Sequence, residues 1–251
     1  MASLSLKNIC KVYPNGFEAV KNFNLEIADK EFIIFVGPSG CGKSTTLRMI
    51  AGLEDISSGE LKIGDRVVND VEPKDRDIAM VFQNYALYPH MSVYDNMAFG
   101  LKLRKVPKEK IDKQVHEAAK ILDIEHLLDR KPKALSGGQR QVVTLLMCTL
   151  SIPKLLLLDE HTAALDPATA EKVMDITKKI VQENNITTMM ITHNLKQSLT
   201  TGTRTIMLDS GEIILDLSGE ERKNTTMEDM IKMYSMKKQK EFDNDRILLS
   251  Q

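Results

Sequence analysis

Nine consecutive residues near the start of the chain have the composition of a phosphate-binding loop. The stretch GPSGCGKST, residues 37–45, fits the pattern G-x-x-x-x-G-K-[ST] and lies between an apolar strand pattern and a helical pattern. Glycines let successive backbone N–H groups converge on an anion, and a helix that begins beneath the anion adds its positive end. Lys43 is therefore expected to reach the β- and γ-phosphates of a nucleotide, and Ser44 to bind Mg²⁺. The loop residues assigned to nucleotide binding are Gly37, Ser39, Gly40, Cys41, Gly42, Lys43, Ser44 and Thr45.

Two adjacent carboxylates end an apolar run much later in the chain. The run KLLLLDE starts just after Pro153 and ends in Asp159 and Glu160, and such a run is typical of a parallel strand covered on both faces. At the end of this strand, Asp159 is expected to hold a Mg²⁺-bound water, and Glu160 to polarise an attacking water. Together with residues 37–45, the pair predicts binding of a nucleoside triphosphate with Mg²⁺, followed by hydrolysis.

The thiol within the loop allows two interpretations. Cys41 lies at the expected start of the helix, where the dipole tends to lower the pKa of a thiol. It is either a redox-sensitive group that controls the site or, as the favoured interpretation, a small residue that the loop tolerates. The three cysteines, Cys10, Cys41 and Cys148, are odd in number and scattered, which favours free thiols in a reducing compartment.

The patterns around these residues change from strands to helices and then alternate. ASLSLKNICKVY and FEAVKNFNLEI have a period of two, and SGELKIGDRVVND has the form of a hairpin with a Gly-Asp turn. Residues from about 93 to 150 have helical spacing, and strands and helices alternate after residue 153. This order predicts an α/β fold with one parallel-sheet core and a helical insertion near residues 85–150.

Composition and charge exclude several classes of protein. The chain has 251 residues, 42% hydrophobic and 27% charged, with a formal net charge of −1, which requires neither nucleic acid nor an anionic membrane as a partner. No apolar run approaches the ~20 residues of a membrane-spanning helix, and polar residues interrupt the N-terminal MASLSLKNICKVY, so no signal peptide is expected. A cytoplasmic location is predicted, and work at a membrane would require a partner that holds the chain there.

The run LSGGQRQ, residues 135–141, distinguishes this chain from other P-loop proteins. Together with the phosphate loop, Gln83 and His193, it resembles the ATP-binding cassette (ABC) ATPases, with the motifs in the order and spacing of that family. The resemblance implies a P-loop NTPase fold with a RecA-like parallel-sheet core, an antiparallel β subdomain and a helical signature subdomain. It also implies ATP and Mg²⁺ as ligands and ATP hydrolysis as the reaction.

Four single residues take their roles from this resemblance. Tyr13, in VYPNG, matches the aromatic residue that stacks on adenine. Gln83 matches the glutamine that senses Mg²⁺ and the attacking water, and the loop after it matches the one that meets a transmembrane subunit. Asp166, in TAALDP, matches a loop that crosses a dimer interface, and His193, in ITHN, matches a switch histidine near the γ-phosphate. The catalytic residues so assigned are Glu160, His193, Gln83 and Lys43, and the Mg²⁺ residues are Ser44, Gln83 and Asp159.

The signature residues have a role only across a dimer. Ser136 is a favourable N-cap, and Gly137 and Gly138 let backbone N–H groups approach a phosphate closely. Within one chain these donors face no anion, because Lys43 and its loop are too far away. In the family, the signature of one subunit covers the γ-phosphate bound by the other, in a head-to-tail dimer that hydrolysis reopens. The residues assigned to nucleotide contact on this side are Ser136, Gly137, Gly138, Gln139 and Asp166.

The histidines other than His193 have no metal-ligand spacing and are interpreted as structural or exposed. His161 is unusual, because it follows Glu160 where the family commonly has proline. It either perturbs Glu160 or fills space, and the second interpretation is favoured.

The branch of the family that the sequence resembles changes within the signature helix. Residues 1–141 are similar to the ATPases of maltose-type and multiple-sugar importers. Beyond them, VVTLLMC, with Met147 where a positive charge is expected, and DEHTAALDP are similar to a different branch from amino-acid-type uptake systems. Two hypotheses stay open: a mosaic, natural or engineered, joined near Gln141–Val142, and a single divergent branch. Separate searches with residues 1–141 and 142–251 decide between them.

The domain boundaries also follow the resemblance. The sugar-importer branch continues past residue 235 with a regulatory β-domain, which is not expected here because a short polar tail takes its place. The boundaries are 1–235 for the ABC-type domain, 1–84 and 151–235 for its core, about 85–150 for the helical insertion, and 236–251 for the tail.

The favoured function is the ATPase subunit of an importer, peripheral on the cytoplasmic face of the membrane. Its expected partners are a second ATPase subunit, identical or closely related, and transmembrane permease subunits. One alternative is a non-transport ABC ATPase on nucleic acid or the ribosome; the absence of a long coiled-coil insertion, the single cassette and the near-neutral charge disfavour it, so no nucleic-acid partner is expected. The other is an engineered ATPase without a working permease.

Overall fold

Two β-sheets and a set of helices make up the structure, a computed structural model that describes the backbone of residues 2–248 and the side chains of residues 2–237. The strands are β1 (Leu4–Val12), β2 (Glu18–Ile27), β3 (Phe32–Val36), β4 (Ser58–Ile63), β5 (Arg66–Val67), β6 (Ile78–Val81), β7 (Leu155–Asp159), β8 (Thr187–Ile191), β9 (Arg204–Asp209) and β10 (Glu212–Ser218). The helices are α1 (Lys43–Ala51), α2 (Val93–Leu103), α3 (Lys108–Ile121), α4 (Gly137–Thr149), α5 (Pro167–Asn184), α6 (Leu195–Thr200), α7 (Gly219–Asn224) and α8 (Met227–Leu248).

The larger sheet has six strands in the order β10-β9-β3-β8-β7-β6. Its strands pair in parallel except for β10, which forms an antiparallel hairpin with β9. Every residue of β3, β7 and β8 is buried, as expected for parallel strands covered on both faces. Because these strands run in the same direction, the residues that follow β3, β6, β7 and β8 meet at one edge of the sheet.

The smaller sheet is antiparallel, with the order β2-β1-β4-β5, and the predicted hairpin with its Gly-Asp turn joins β4 to β5. Its buried residues share one core with α1 and the larger sheet. Phe23 of β2 packs edge-on against Phe35 of β3, with 6.1 Å between the ring centroids. This contact fixes the small sheet against the strand that leads into the phosphate loop.

The helical segment has its own core. In α3 the buried residues are Ile111, Val115 and Ala119, on the face that the sequence spacing predicts. They pack with apolar residues of α2 and α4, and Val173 of α5 joins the same cluster. Helix α4, which carries the apolar VVTLLMC stretch, is buried on most of its surface, and Met147 is half-buried. Its apolar composition therefore serves packing.

Helix α8 extends through much of the segment that the sequence assigns to a polar tail. Its backbone runs from Met227 to Leu248, and residues 249–251 lie outside the described residues, as do the side chains from 238 onward. Within the described part of the chain, no helix is both long enough and apolar enough to cross a membrane.

Candidate active site

The phosphate loop connects β3 to α1 through backbone conformations that require glycine. At Gly37 an added Cβ would lie 2.2 Å from the carbonyl oxygen of Leu208, so the backbone at this position admits no side chain. Gly42 has φ +99° and forms the N-cap of α1, and a Cβ there would lie 2.6 Å from the carbonyl oxygen of Ala19. A glycine N-cap offers no side-chain acceptor, which leaves the first N–H groups of α1 available to an anion.

Lys43 lies inside the loop rather than on its surface. The residue is 4% exposed, and its Nζ donates hydrogen bonds of 2.8 Å to the carbonyl oxygens of Gly37 and Pro38. The ammonium group thus holds the loop in a curled shape and keeps positive charge at its centre. This is the position from which a lysine can move its hydrogen bonds to phosphate oxygens.

Ser44 and Asp159 meet beside the loop although 115 positions separate them. The Ser44 hydroxyl donates a 3.0 Å hydrogen bond to Oδ1 of Asp159, which is the last residue of β7. Burial raises the pKa of the Asp159 carboxyl, and the hydrogen bond from Ser44 opposes that rise. A hydroxyl and a carboxylate at the edge of a phosphate loop are oxygen ligands of the kind that Mg²⁺ prefers, so these residues fit the predicted ion.

Glu160 and His193 form the second pair at this edge of the sheet. Oε1 of Glu160 lies 2.6 Å from Nε2 of His193, with the Glu160 side chain 16% and the His193 side chain 45% exposed. The backbone of Glu160 has φ +50°, which is uncommon for a residue with a side chain and turns the chain sharply after β7. This turn separates the directions of the two adjacent carboxylates, so that Asp159 binds Ser44 while Glu160 reaches His193.

One cleft of about 510 Å³ brings together nine of the eighteen predicted site residues. Tyr13 lies in it beside Phe17, and their rings stack with 6.4 Å between centroids and 15° between planes. Phe17, 56% exposed, was not predicted as a site residue, although the PNG turn between the two rings is the signal that would place it there. The residues that line the cleft are Tyr13, Phe17, Ala19, Ser39, Gly40, Gly42, Lys43, Ser44, Thr45, Glu160 and His193.

The remaining predicted residues do not line this cleft. Gln83 is exposed and follows β6, whose carboxyl end lies beside that of β7. The signature residues 136–139 lie at the N-terminus of α4, and Asp166 lies at the N-terminus of α5, where it accepts a hydrogen bond from the N–H of Thr169. Hydrogen bonding by the side chain and by the backbone N–H of Thr169 lowers the pKa of the Asp166 carboxyl.

The signature segment has a reciprocal cap. Ser136 Oγ accepts a 3.2 Å hydrogen bond from the N–H of Gln139, and Gln139 Oε1 accepts a 2.9 Å hydrogen bond from the N–H of Ser136. This is a capping box, which fixes the start of α4. A Cβ on Gly138 would lie 2.2 Å from Cγ2 of Thr169, so α4 and α5 touch through a glycine. The signature and the Asp166 loop therefore form one surface within the chain.

The thiol of Cys41 differs from the expectation of a lowered pKa. The residue is buried, and burial raises the pKa of the thiol even though Lys43 acts in the opposite direction. Desolvation of the thiolate outweighs the stabilisation that the Lys43 ammonium gives it. Cys41 is consequently a small buried residue of the loop, in line with the favoured interpretation.

Cys41 is expected to react slowly with alkylating reagents. Iodoacetamide at pH 8 should modify it at least about tenfold more slowly in the folded chain than in the urea-unfolded chain, because a higher thiol pKa and burial both act against attack. Timed labelling followed by peptide mass spectrometry measures the two rates. Equal rates would contradict the buried thiol and favour the redox-sensitive one.

Among the described contacts, His161 makes none with the side chains of Glu160 and His193. Its Nε2 lies 3.1 Å from Oγ1 of Thr177 in the interior, and burial lowers the pKa of the imidazole to about 4. The ring is therefore neutral near neutral pH and fills space between β7 and α5. Among the described residues no group of three or more histidine, cysteine, aspartate or glutamate side chains could hold a metal ion on its own.

The six-stranded sheet, the phosphate loop and the strand-end carboxylates define a P-loop nucleotide-binding protein. The sequence model of the ABC transporter family matches residues 20–163, which is more than half of the chain. This chain belongs to the ABC transporter family.

Curated relatives and solved structures agree with this placement. The oligosaccharides import ATP-binding protein MsmX of Bacillus subtilis is 57% identical over 213 residues, which are 85% of this chain and 58% of the relative. The sn-glycerol-3-phosphate import ATP-binding protein UgpC of Psychromonas ingrahamii is 51% identical, with 85% of this chain and 57% of the relative covered. The chain thus spans little more than half of the length of these relatives. A dimeric ATP-binding cassette, solved in a post-hydrolysis state bound to ADP and Pi, has a TM-score of 0.77 and 34% identity, covering 86% of this chain and 98% of that one.

Proposed function

We propose that this chain is the ATP-hydrolysing subunit of an importer and that two such subunits act as a head-to-tail dimer on transmembrane partners. The observation that carries the proposal is the convergence of the phosphate loop, the Ser44–Asp159 pair and the Glu160–His193 pair at one cleft. The import functions in the names of both relatives support the direction of transport.

The residues of the cleft divide the reaction between them. Tyr13 and Phe17 offer aromatic faces to the adenine, and Lys43 exchanges its bonds with the loop carbonyls for bonds with phosphate oxygens. Mg²⁺, held by the oxygens of Ser44 and Asp159, would offset negative charge on the phosphates. Glu160 accepts a proton from the water that attacks the γ-phosphorus, while the bond to the β-phosphate oxygen breaks and ADP and phosphate form. His193 holds the Glu160 carboxylate in place.

The position of the signature supports the dimer. Ser136 and Gly137 lie outside the cleft that Lys43 and Glu160 line, and the N-terminus of α4 is capped without any anion from this chain. A second subunit placed head to tail would bring the γ-phosphate of its bound ATP to the N–H groups at the start of α4. Each complete site would then contain the loop of one chain and the signature of the other.

Lys43→Ala is expected to weaken ATP binding by about 100-fold, because two or more charge-assisted hydrogen bonds to phosphate are lost. Lys113→Ala, on the exposed surface of α3, is the matched control and should bind ATP as the wild type does. Isothermal titration with ATP and Mg²⁺ measures both affinities. Unchanged affinity of the Lys43→Ala chain, with hydrolysis retained, would contradict the assignment of the cleft.

The transmembrane partner is tested by purification from detergent extracts. An importer subunit should be recovered with an integral membrane protein. The complex should hydrolyse ATP at a different rate from the isolated chain. Recovery with ribosomes or DNA instead would favour the non-transport alternative. Hydrolysis without any recovered membrane partner would favour an isolated ATPase.

We retain the hypothesis of a mosaic joined near Gln141–Val142, and one structural feature supports it. Gln141 is 0% exposed, and neither atom of its side-chain amide has a hydrogen-bond partner among the described residues. Buried amides in native proteins are almost always paired. If the hydrogen-bond partner of this amide lay in an original C-terminal half that has been replaced, the amide would be left buried and unpaired. Any match over 213 residues of this chain crosses position 141, so the comparison of each half by itself is the deciding test.

A further inference from the structure

Tyr85 contacts the signature segment from the loop that follows β6. It lies two residues after Gln83, and its ring is 4.8 Å from the guanidinium carbon of Arg140. Its hydroxyl lies close to the backbone of Gly137, where an added Cβ would be 3.0 Å from the phenolic oxygen. One side chain thus touches both the first residue of α4 and the fourth.

Arg140 extends this contact to the residue before the cap. Its Nη1 donates a 2.8 Å hydrogen bond to the carbonyl oxygen of Leu135, and Leu135 directly precedes Ser136. The guanidinium therefore closes the turn that enters α4 while its face rests on the ring of Tyr85. Such a cation–π contact contributes about 0.5–2 kcal/mol and fixes the plane of the ring relative to the cation.

The same turn also contacts the loop that carries Asp166. A Cβ on Gly137 would lie 3.4 Å from Cδ2 of Leu165, and Gly138 touches Thr169, a β-branched side chain with little rotational freedom. The N-terminus of α4 thus packs against both Tyr85 and the residues around the start of α5. With contacts to Tyr85, Leu165 and Thr169, the turn has little free space, so a shift of Tyr85 is expected to move the N–H donors of α4.

We infer that Tyr85 is a positioning residue that sets the orientation of the signature N–H groups, and that it links their position to the loop after Gln83. The inference rests on the proposed function, because these donors act on ATP bound by the second subunit. Tyr85 touches no residue that lines the cleft of its own chain in the described contacts. Its effect should therefore fall on the rate of hydrolysis and not on the first binding of ATP.

A double-mutant cycle between Tyr85 and Gly137 tests this link. Gly137→Ala should lower kcat about tenfold, because the new methyl group meets the Tyr85 hydroxyl and displaces the turn. In a Tyr85→Phe background the oxygen is gone, and the same Gly137→Ala change should lower kcat about threefold or less. KM for ATP should change by less than about twofold in every variant, because the phosphate loop is untouched.

A second variant removes the aromatic contact without adding bulk. Tyr85→Leu should lower kcat about tenfold at unchanged KM, and Arg140→Lys should lower it by less, since lysine keeps the charge but loses the planar face. Tyr94→Phe and Arg104→Lys, in the same helical segment, are the matched controls and should keep wild-type turnover. The thermal midpoints of all variants, measured with the kinetics, identify any chain that fails to fold.

The results separate this inference from the proposed function. If the wild-type chain hydrolyses ATP, Lys43→Ala binds it about 100-fold more weakly and a membrane partner is recovered, the proposed function stands whatever Tyr85 does. Additive effects of Gly137→Ala and Tyr85→Phe, or a wild-type kcat for a folded Tyr85→Leu chain, would overturn the role of Tyr85. A larger KM with unchanged kcat would also overturn it, because that pattern belongs to a residue that binds nucleotide.

Discussion

A chain with Glu160→Gln is expected to bind ATP normally and to hydrolyse it about 1000-fold more slowly than the wild type. Glutamine has the shape of glutamate and can still hydrogen-bond to His193, which lies 2.6 Å from the carboxylate oxygen. The amide, however, cannot accept the proton of the attacking water. Glutamine has nearly the same size and backbone preferences as glutamate, so it can take the left-handed conformation at position 160, and the substitution should leave the fold unchanged.

The same variant should remain dimeric with ATP bound, because the γ-phosphate that joins the two subunits is no longer removed. Phosphate release measures turnover, and sedimentation velocity with ATP and Mg²⁺ measures the dimer. Glu183→Gln, near the exposed end of α5, is the matched control and should behave as the wild type does. Wild-type turnover in the Glu160→Gln chain would remove Glu160 from the role of base.

Local sequence was sufficient to predict the phosphate loop and its setting. The strand, the glycines and the helix are consecutive in the chain, and the backbone shape that binds an anion follows from residue type alone. Gly37 and Gly42 lie where their lack of a side chain is required, and Lys43 lies at the centre of the loop. The cap of α4 by Ser136 and Gln139 is a local feature of the same kind.

The contacts between residues at the ends of different strands could not be predicted from local sequence. Glu160 and His193 follow β7 and β8, and nothing in the spacing of the two residues states that these strands are neighbours. Their approach depends on strand order, which is a property of the whole sheet. The left-handed backbone of Glu160, which separates its carboxylate from that of Asp159, likewise has no signal in the residue type.

The direction of the pKa shift of the Cys41 thiol could not be predicted from local sequence, because two effects on it oppose each other. The start of a helix lowers the pKa of a thiol, whereas burial raises it, and only the packing around the loop decides which effect is larger.

Phe17 was missed for a different reason. The turn that returns it to Tyr13 is visible in PNG, but its place in the cleft depends on how the small sheet packs against the core.

The proposed division of the site between the cleft of one chain and the signature of the other makes Ser136→Arg the most direct test of the dimer. The substitution should leave ATP binding within about twofold of the wild type and lower hydrolysis about 1000-fold, because a bulky cation would occupy the place of the partner's γ-phosphate. Loss of the cap alone costs about 1 kcal/mol of helix stability. Ser92→Ala, which removes the equivalent cap of α2, is the control for that cost and should keep normal turnover.

Mixing two inactive chains then distinguishes a shared site from a site within one chain. A Ser136→Arg chain keeps an intact phosphate loop, and a Lys43→Ala chain keeps an intact signature, so a mixed dimer has one complete site and one site with both defects. At equal amounts, random pairing should restore about one quarter of the wild-type number of complete sites. Activity measured by phosphate release should therefore rise on mixing. If each chain contained its whole site, both defects would stay in place and mixing would restore no activity, which would exclude the head-to-tail dimer.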